Sequence, residues 1–220
     1  MCRAVQHAHI KGVIHRDLKP SNILVSSVDE HAEPRIIDFG IAKAAEAVAG
    51  AETMHTAFGS VIGTLEYMSP EQAAGGDTRV DTRSDVYSLG VVLYELTTEA
   101  LPFESAALRG AGAVEAQRLI RDTDPPTPAR RFTGTTSRDA IARTRRTDAR
   151  TLERRLTGDL GWVIMRALEK DPARRMRRGA ARSPRKRRRT TTVEGIRSSR
   201  VRGGCGPRAG HPNSSVRRHS

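Results

Sequence analysis

Three stretches of the sequence carry apolar residues at the spacing of a helix that buries at least one face. They span residues 2–10, 85–96 and 159–168. Gly12 follows the first stretch at the position where a helix C-terminal cap is expected. The apolar side chains of the third stretch share one helical face, and they are Leu160, Val163, Ile164, Ala167 and Leu168. The pattern therefore predicts three helices.

Two short β-rich runs, at residues 23–25 and 35–38, flank a polar turn that contains Pro34. This arrangement predicts a β-hairpin. Residues 104–156 are rich in Pro, Arg and Thr, and the only helix that their pattern predicts is a short one at residues 114–120. Together these elements predict an α+β fold that is mainly helical and has one small hairpin.

The charge of the chain is divided unevenly along its length. The 220 residues carry a net charge of +13. Residues 1–171 hold 22 Lys and Arg against 24 Asp and Glu, whereas residues 172–220 hold 16 basic residues and one acid. The near-neutral body does not support a nucleic-acid-binding protein. Residues 177–220 have no helical or strand period, so we expect them to form a basic, disordered tail. At most, such a tail would bind anions nonspecifically.

Apolar runs and cysteines bear on the location of the protein. No apolar run approaches the roughly 18 residues of a membrane span, and the first residues lack the pattern of a signal peptide. Cys2 and Cys205 lie near opposite ends of the sequence and form no metal-binding spacing. Two unrelated thiols are typical of a reducing compartment. We therefore expect a cytoplasmic chain, although a longer parent protein could be membrane-anchored elsewhere.

The candidate chemistry begins at residues 15–22, which read His-Arg-Asp-Leu-Lys-Pro-Ser-Asn. Phosphoryl transfer needs a carboxylate to accept the proton of the incoming hydroxyl and a cation near the transferred phosphate. It also needs an oxygen ligand for Mg²⁺ on the same loop. Asp17, Lys19 and Asn22 supply these three groups within six residues.

A second motif, Asp38-Phe39-Gly40, follows 21 residues after Asp17 and ends the second β-rich run. A tripeptide alone is weak evidence of function, but this spacing and this position make it specific. This triplet resembles the one that in protein kinases presents a carboxylate to Mg²⁺, packs its Phe beneath the site and turns the backbone at its Gly.

These motifs resemble those of eukaryotic-like serine/threonine protein kinases, of the type also found in bacteria. Residues 63–71 resemble the end of a kinase activation segment, with Ser69 where Ala is usual, and residues 171–175 resemble the family's Asp-Pro-x-x-Arg. The resemblance covers residues 2–175 and favours Ser/Thr specificity, because Lys follows two residues after the catalytic-loop Asp.

The resemblance implies the mainly α-helical C-terminal lobe of a kinase-like fold, with its hairpin beside the catalytic loop. It places a kinase lobe at residues 1–176, an activation segment at residues 38–71 within it, and the tail at residues 177–220.

The resemblance also implies a role for each matching residue. Asp17 would be the catalytic base, Lys19 would steady the γ-phosphate of ATP, and Asn22 and Asp38 would bind Mg²⁺ or Mn²⁺. Thr64 would form a hydrogen bond near Asp17 and Lys19. The partners implied are ATP and proteins that carry Ser or Thr. The residues with implied structural roles are His15, Arg16, Phe39, Gly40, Glu71, Asp85 and Arg175.

Two of these structural roles can be stated as contacts. We expect Glu71 and Arg175 to form a buried ion pair. Asp85, an acid at the start of an apolar helix, could be an ordinary charge favoured by the helix dipole. In the kinase interpretation it instead holds the backbone of the catalytic loop. His7 and His9 have no partner motif, and we expect them to be surface or packing residues.

Arg16 next to Asp17 marks kinases whose activation segment is often ordered by phosphorylation. The candidate phosphate acceptors are Thr53, Thr56 and Ser60, although exposed Ser and Thr are also ordinary loop residues.

The sequence departs from the kinase pattern before residue 15. Those fourteen residues contain no Gly-rich loop, no Lys-bearing strand and no partner Glu for that Lys, which in kinases clamp the phosphates of ATP. We therefore expect these 220 residues to be the C-terminal lobe of a longer kinase, inactive alone.

Two alternatives remain at this point. One is a non-catalytic module that docks on another protein through the open face of the lobe. The other is an anion-binding protein that uses the Arg-rich tail, although that tail could also be a frame-shifted version of a last amphipathic helix, which is missing.

Overall fold

A computed structural model describes residues 1–28, 31–39, 65–75 and 80–175. Gly40, Thr64, the three candidate phosphate acceptors and the tail at residues 177–220 lie outside the described residues, so the expectations for them stay predictions. The predicted domain boundaries likewise stay predictions.

The first helix and its end follow the predicted pattern. Helix α1 spans Cys2–Ile10 and buries Val5 and Ala8. Gly12 has a φ of +76°. Its N–H donates to the carbonyl of His9, while Val13 N–H donates to that of Ala8. This pair of bonds is a Schellman motif, which ends the helix and turns the chain toward residue 15.

A two-stranded antiparallel sheet follows a 3₁₀ turn at Pro20–Asn22. Strands β1 (Ile23–Val28) and β2 (His31–Ile36) pair with Ile23 opposite Ile36. The predicted hairpin is present, but its strands are longer than predicted, and Pro34 lies inside β2 opposite Val25 rather than in the turn. A Pro is tolerated there because a two-stranded sheet has only edge strands, where a missing N–H need not break a ladder.

The remaining elements are helical. They are a 3₁₀ turn at Leu65–Tyr67, α2 (Pro70–Ala74), α3 (Thr82–Thr98), α4 (Ser105–Gly110), α5 (Gly112–Asp122), α6 (Pro128–Thr133), α7 (Arg138–Thr144), α8 (Ala149–Thr157), α9 (Asp159–Ala167) and a 3₁₀ turn at Pro172–Arg174. Helix α3 begins three residues before the predicted start because Asp81 caps its N-terminus by accepting a hydrogen bond from Arg83 N–H.

The prediction for residues 104–156 was wrong in the amount of helix. Five helices, α4 to α8, occupy this segment instead of one. They are short, and each buries only one or two residues, such as Leu108 in α4 or Leu152 and Leu156 in α8. Helices of this length gain their stability from tertiary packing. Over six to eleven residues, the apolar periodicity of the sequence was too weak to predict them.

Helix α3 is the centre of the main core. It packs against α6 and α9, and α8 packs on both of these helices. Apolar side chains from these helices, from α7 and from the 3₁₀ turn at Leu65–Tyr67 form one buried cluster, which comprises Tyr67, Tyr87, Val91, Val92, Tyr94, Phe132, Ile141, Ala142, Leu152, Leu156, Ile164 and Leu168. A smaller cluster of Leu65, Ala73, Leu108, Ala116 and Ile120 joins α2 to α4 and α5. The described part of the chain therefore has the predicted α+β composition.

Candidate active site

One buried carboxylate, that of Asp85, accepts hydrogen bonds from the backbone of the loop at residues 15–19. Asp85 lies in the first turn of α3 and is fully buried. Its Oδ2 accepts a hydrogen bond from His15 N–H at 2.9 Å, and its Oδ1 accepts one from Arg16 N–H at 2.8 Å. The structure therefore contains the contact between Asp85 and the backbone of the loop, which is the second of the two roles considered for this residue.

His9 supplies a third contact to the same carboxylate. Its Nε2 lies 2.7 Å from Asp85 Oδ2, and the His9 side chain is 10% exposed. His9, expected from the sequence to be a surface or packing residue, therefore also bonds to the carboxylate that holds the loop. Its partner lies 76 residues away in the sequence, and a single sequence gives no signal for such a contact.

Arg16 adopts a backbone conformation that non-glycine residues rarely take. Its φ is +67°, in the left-handed region that disfavours a Cβ. Two contacts fix it there: Asp85 accepts from its N–H, and Gln72 Nε2 donates to its carbonyl at 2.7 Å. Strain of this kind persists where the surroundings over-determine the backbone, and such positions cluster at functional sites.

His15 joins the loop to the segment that follows β2. Its ring is fully buried, Nε2 lies 2.9 Å from the carbonyl of Ile37, and Nδ1 lies 3.3 Å from Asp17 N. Since Asp17 N–H can only donate, Nδ1 accepts and the proton of the neutral ring is on Nε2. The His15 ring also lies 4.8 Å from the ring of Phe39.

Asp17, Lys19 and Asn22 come together as a compact polar group. Lys19 Nζ lies 2.9 Å from Asp17 Oδ2, and both side chains are about one-fifth exposed. Asn22 Nδ2 donates to the Asp17 carbonyl at 2.8 Å and approaches its Oδ2 at 3.4 Å. These bonds orient the Asn22 amide, and its oxygen accepts no hydrogen bond from any described residue.

Asp38 is placed next to this group by the backbone. Ile37 N–H donates to the Asn22 carbonyl at 3.0 Å, which continues the pairing of the hairpin by one step. Asp38 follows with a φ of +55° and an exposed side chain. No described residue forms an ion pair with its carboxylate.

The donor set fits a Mg²⁺ ion that is held partly by its substrate. Among the described residues, no cluster of three His, Cys, Asp or Glu side chains could bind a metal. Mg²⁺ does not require one, because it usually binds through one or two carboxylates, substrate phosphates and water. The amide oxygen of Asn22 and the carboxylate of Asp38 are ligands of the required type.

The ion pair expected between Glu71 and Arg175 is present and deeply buried. Arg175 Nη1 and Nη2 donate to the two carboxylate oxygens of Glu71 at 2.5 and 2.7 Å. The two side chains are 0% and 4% exposed. Ser84 Oγ donates a further bond to Glu71 at 2.6 Å. Burial acts to raise the pKa of Glu71, but the bonds from Arg175 and Ser84 outweigh it and hold that pKa below its ordinary value.

The predictions from sequence missed Gln72 as well as His9 and Ser84. Ser69 and Gln72 form a capping box at the start of α2, and the Ser-x-x-Gln pattern that encodes it is readable in the sequence. The second role of Gln72, its bond to Arg16, is not readable there. None of the helices in the described ranges has the length and hydropathy needed to cross a membrane.

Comparisons with known proteins agree on one family. The model of the protein kinase domain family matches residues 1–180. The serine/threonine-protein kinase pkn3 of Myxococcus xanthus is 41% identical over 175 residues, which cover 78% of this chain and 27% of that protein. The serine/threonine-protein kinase PknB of Mycobacterium tuberculosis is 38% identical over 180 residues, which cover 81% of this chain and 23% of PknB.

Solved structures include a similar chain, the twitchin kinase region from C. elegans. It matches with a TM-score of 0.51 and 25% sequence identity, over 80% of this chain and 25% of that one. The chain spans about a quarter of the length of the curated relatives that it matches.

Proposed function

The chain belongs to the protein kinase domain family, and we propose that its catalytic loop transfers the γ-phosphoryl group of ATP to Ser and Thr hydroxyls of protein substrates. The likeness to two bacterial serine/threonine kinases confirms the family predicted from the sequence. The single observation that supports the activity is the convergence of Asp17, Lys19 and Asn22 on one loop, held by Asp85.

In this proposal Asp17 accepts the proton of the substrate hydroxyl. Lys19, 2.9 Å from Asp17, offers positive charge beside the position of the transferred phosphate. Asn22 and Asp38 would hold Mg²⁺ (or Mn²⁺). The ion, when bound, neutralises charge that develops on the phosphate oxygens. Thr64, outside the described residues, would complete the group.

The structural residues act by fixing the loop. His15 and Arg16 donate their backbone N–H groups to Asp85, and the His15 ring bonds to Ile37 and contacts Phe39. These contacts restrict where Asp17 can lie, and positioning is most of what a phosphoryl-transfer enzyme contributes. The use of ATP also favours the cytoplasmic location expected from the sequence.

The test is phosphate transfer from radiolabelled ATP to a Ser- and Thr-containing protein in the presence of Mg²⁺. It is run on the 220 residues and on a chimera in which the corresponding upstream kinase segment of pkn3 precedes residue 2. We expect activity from the chimera and none from its Asp17→Ala variant, and little from the 220 residues alone.

A folded chimera that transfers no phosphate, or whose Asp17→Ala variant is equally active, would contradict the proposal. Either result would favour a non-catalytic docking module. The single tryptophan, Trp162, lies in α9 and reports on folding in each variant.

A further inference from the structure

Helices α6 to α8 concentrate positive charge on the outside of the main core. Residues 128–157 carry nine arginines and three acidic residues. Their apolar side chains point into the core, where Ile141, Ala142, Leu152 and Leu156 are buried. The arginines therefore occupy the outward faces of the same helices.

Most of this charge is not neutralised within the described residues. Arg131 pairs with Glu104 at 3.0 Å, and Arg145 pairs with Glu99 at 2.8 Å. The other seven arginines are exposed, and no carboxylate of a described residue lies within ion-pair distance of them. They are Arg130, Arg138, Arg143, Arg146, Arg150, Arg154 and Arg155.

An open groove of about 480 Å³ lies at the edge of this basic surface, between the C-terminal end of α3, the end of α6 and the start of α7. Its volume is within the range of ligand sites. Its lining includes Glu99, Pro126, Arg130, Thr135, Ser137 and Ile141. Since Glu99 is already paired with Arg145, Arg130 is the unneutralised charge of the groove among the described residues.

We propose that this groove, with the arginines beside it, binds an acidic peptide segment of a partner protein. The carboxylates of such a segment would pair with Arg130 and its exposed neighbours, because guanidinium and carboxylate groups match in bidentate geometry. The half-buried Ala100 and Pro126 would provide an apolar contact for an aliphatic side chain. Hydroxyl groups of Thr135 and Ser137 offer hydrogen bonds to the peptide backbone.

The lining favours a peptide over other anions. Single-stranded nucleic acid binds by stacking its bases on aromatic side chains, and the only aromatic residue of this segment, Phe132, is fully buried. A lipid surface needs exposed apolar anchors. The large apolar side chains exposed among the described residues, such as Leu24 and Val114, lie outside residues 128–157.

The test is fluorescence anisotropy with the full chain, without ATP, at an ionic strength of about 0.15 M, which screens distant charges. The probe is a fluorescein-labelled peptide rich in Glu and Leu, of about ten residues, which spans about 33 Å when extended. Because binding does not require phosphoryl transfer, failure of this test is distinct from failure of the proposed kinase activity.

Two variants distinguish binding of the peptide in the groove from nonspecific electrostatic attraction to the chain. Arg130→Gln removes its charge and is expected to weaken binding about two- to fivefold. Ser137→Phe fills the groove without changing the charge and is expected to weaken binding about tenfold or more. Ser137 is exposed and its side chain makes no cap hydrogen bond, so this variant should fold.

The matched control is Arg187→Gln, in the basic cluster of the C-terminal sequence, which is expected to change the affinity less than about 1.5-fold. Equal losses for Arg130→Gln and Arg187→Gln would overturn the proposal, as would an undiminished affinity of Ser137→Phe. Equally tight binding of a Gln-for-Glu peptide would overturn the assignment of an acidic peptide, as would equally tight binding of a thymidine oligonucleotide that Ser137→Phe weakens as much as it weakens binding of the peptide.

Discussion

Replacing Arg175 with Ala is expected to lower the free energy of unfolding by about 3–5 kcal/mol. Arg175 as a whole residue is 1% exposed, and its side chain uses all five of its guanidinium N–H groups. Two of them bond to the carboxylate of Glu71, and the others bond to the carbonyls of Arg83, Glu169 and Lys170. The guanidinium also lies 5.0 Å from the ring of Tyr87.

The magnitude follows from what the substitution leaves behind. Arg175→Ala would leave a buried carboxylate whose remaining side-chain donor is Ser84, together with three carbonyls that lose a donor. An uncompensated buried charge is the dominant cost. Arg175→Lys keeps the charge but cannot reproduce five directed bonds, so we expect a loss of about 2 kcal/mol.

Urea unfolding followed by Trp162 fluorescence and circular dichroism measures these differences. The matched control is Arg174→Ala, because Arg174 pairs with Asp171 at 3.7 Å while both side chains are more than half exposed. An exposed pair contributes about 0–1 kcal/mol. A loss for Arg175→Ala that is no larger than the loss for Arg174→Ala would refute the reasoning.

Acid unfolding gives a second readout of the same pair. The pKa of Glu71 in the folded chain lies below its ordinary value of 4.5. The unfolded chain therefore binds more protons at acidic pH, and the stability from this pair is present above pH 4.5 and lost as the pH falls through the folded pKa. Glu71→Gln should be less stable at neutral pH and should show a flatter dependence below pH 4.5. An identical slope in both proteins would contradict this cause.

Asp85→Asn is expected to lower the free energy of unfolding by about 3 kcal/mol. It should also speed amide hydrogen exchange at His15 and Arg16, which mass spectrometry detects. Unchanged exchange at these two amides would show that Asp85 does not hold the backbone of the loop. Gln72→Ala should cost about 1–2 kcal/mol in urea unfolding, whereas Gln72→Glu keeps the cap and should cost less. Burial lowers the pKa of Lys170 from 10.5 to about 8. The unfolded chain therefore binds more protons between these values, so stability should rise with pH there; Lys170→Met should lack that rise.

Helices α3 and α9, which the sequence predicted, have more buried positions than the short helices that it missed. Helix α9 buries Ile164 and Ala167, and Leu168 is buried directly after it, so its pattern was readable. Helix α6 buries Pro128 and Phe132 only. Its start was encoded, because Thr127 caps a helix with Pro at its first position, but its six residues carry too little periodicity to identify a helix.

In the site, contacts between residues close together in the sequence could be predicted, whereas contacts between distant residues could not. Asp17, Lys19 and Asn22 lie within six residues, so their association is local and their spacing predicts it. The bond from Gln72 to Arg16 crosses 56 residues, and the one from His9 to Asp85 crosses 76. Such contacts depend on how the helices pack, and the sequence pattern fixes only which face of each helix is apolar.

Helix α2 connects the buried ion pair to the strained loop. Its adjacent residues Glu71 and Gln72 point to different partners: the first binds Arg175, and the second binds the carbonyl of Arg16. A left-handed φ at a non-glycine residue costs roughly 1–2 kcal/mol, so Arg16 keeps its conformation only while its contacts hold. The ion pair fixes the position of a helix of only five residues. Loosening Arg175 should therefore also loosen Arg16, and with it the backbone that places Asp17.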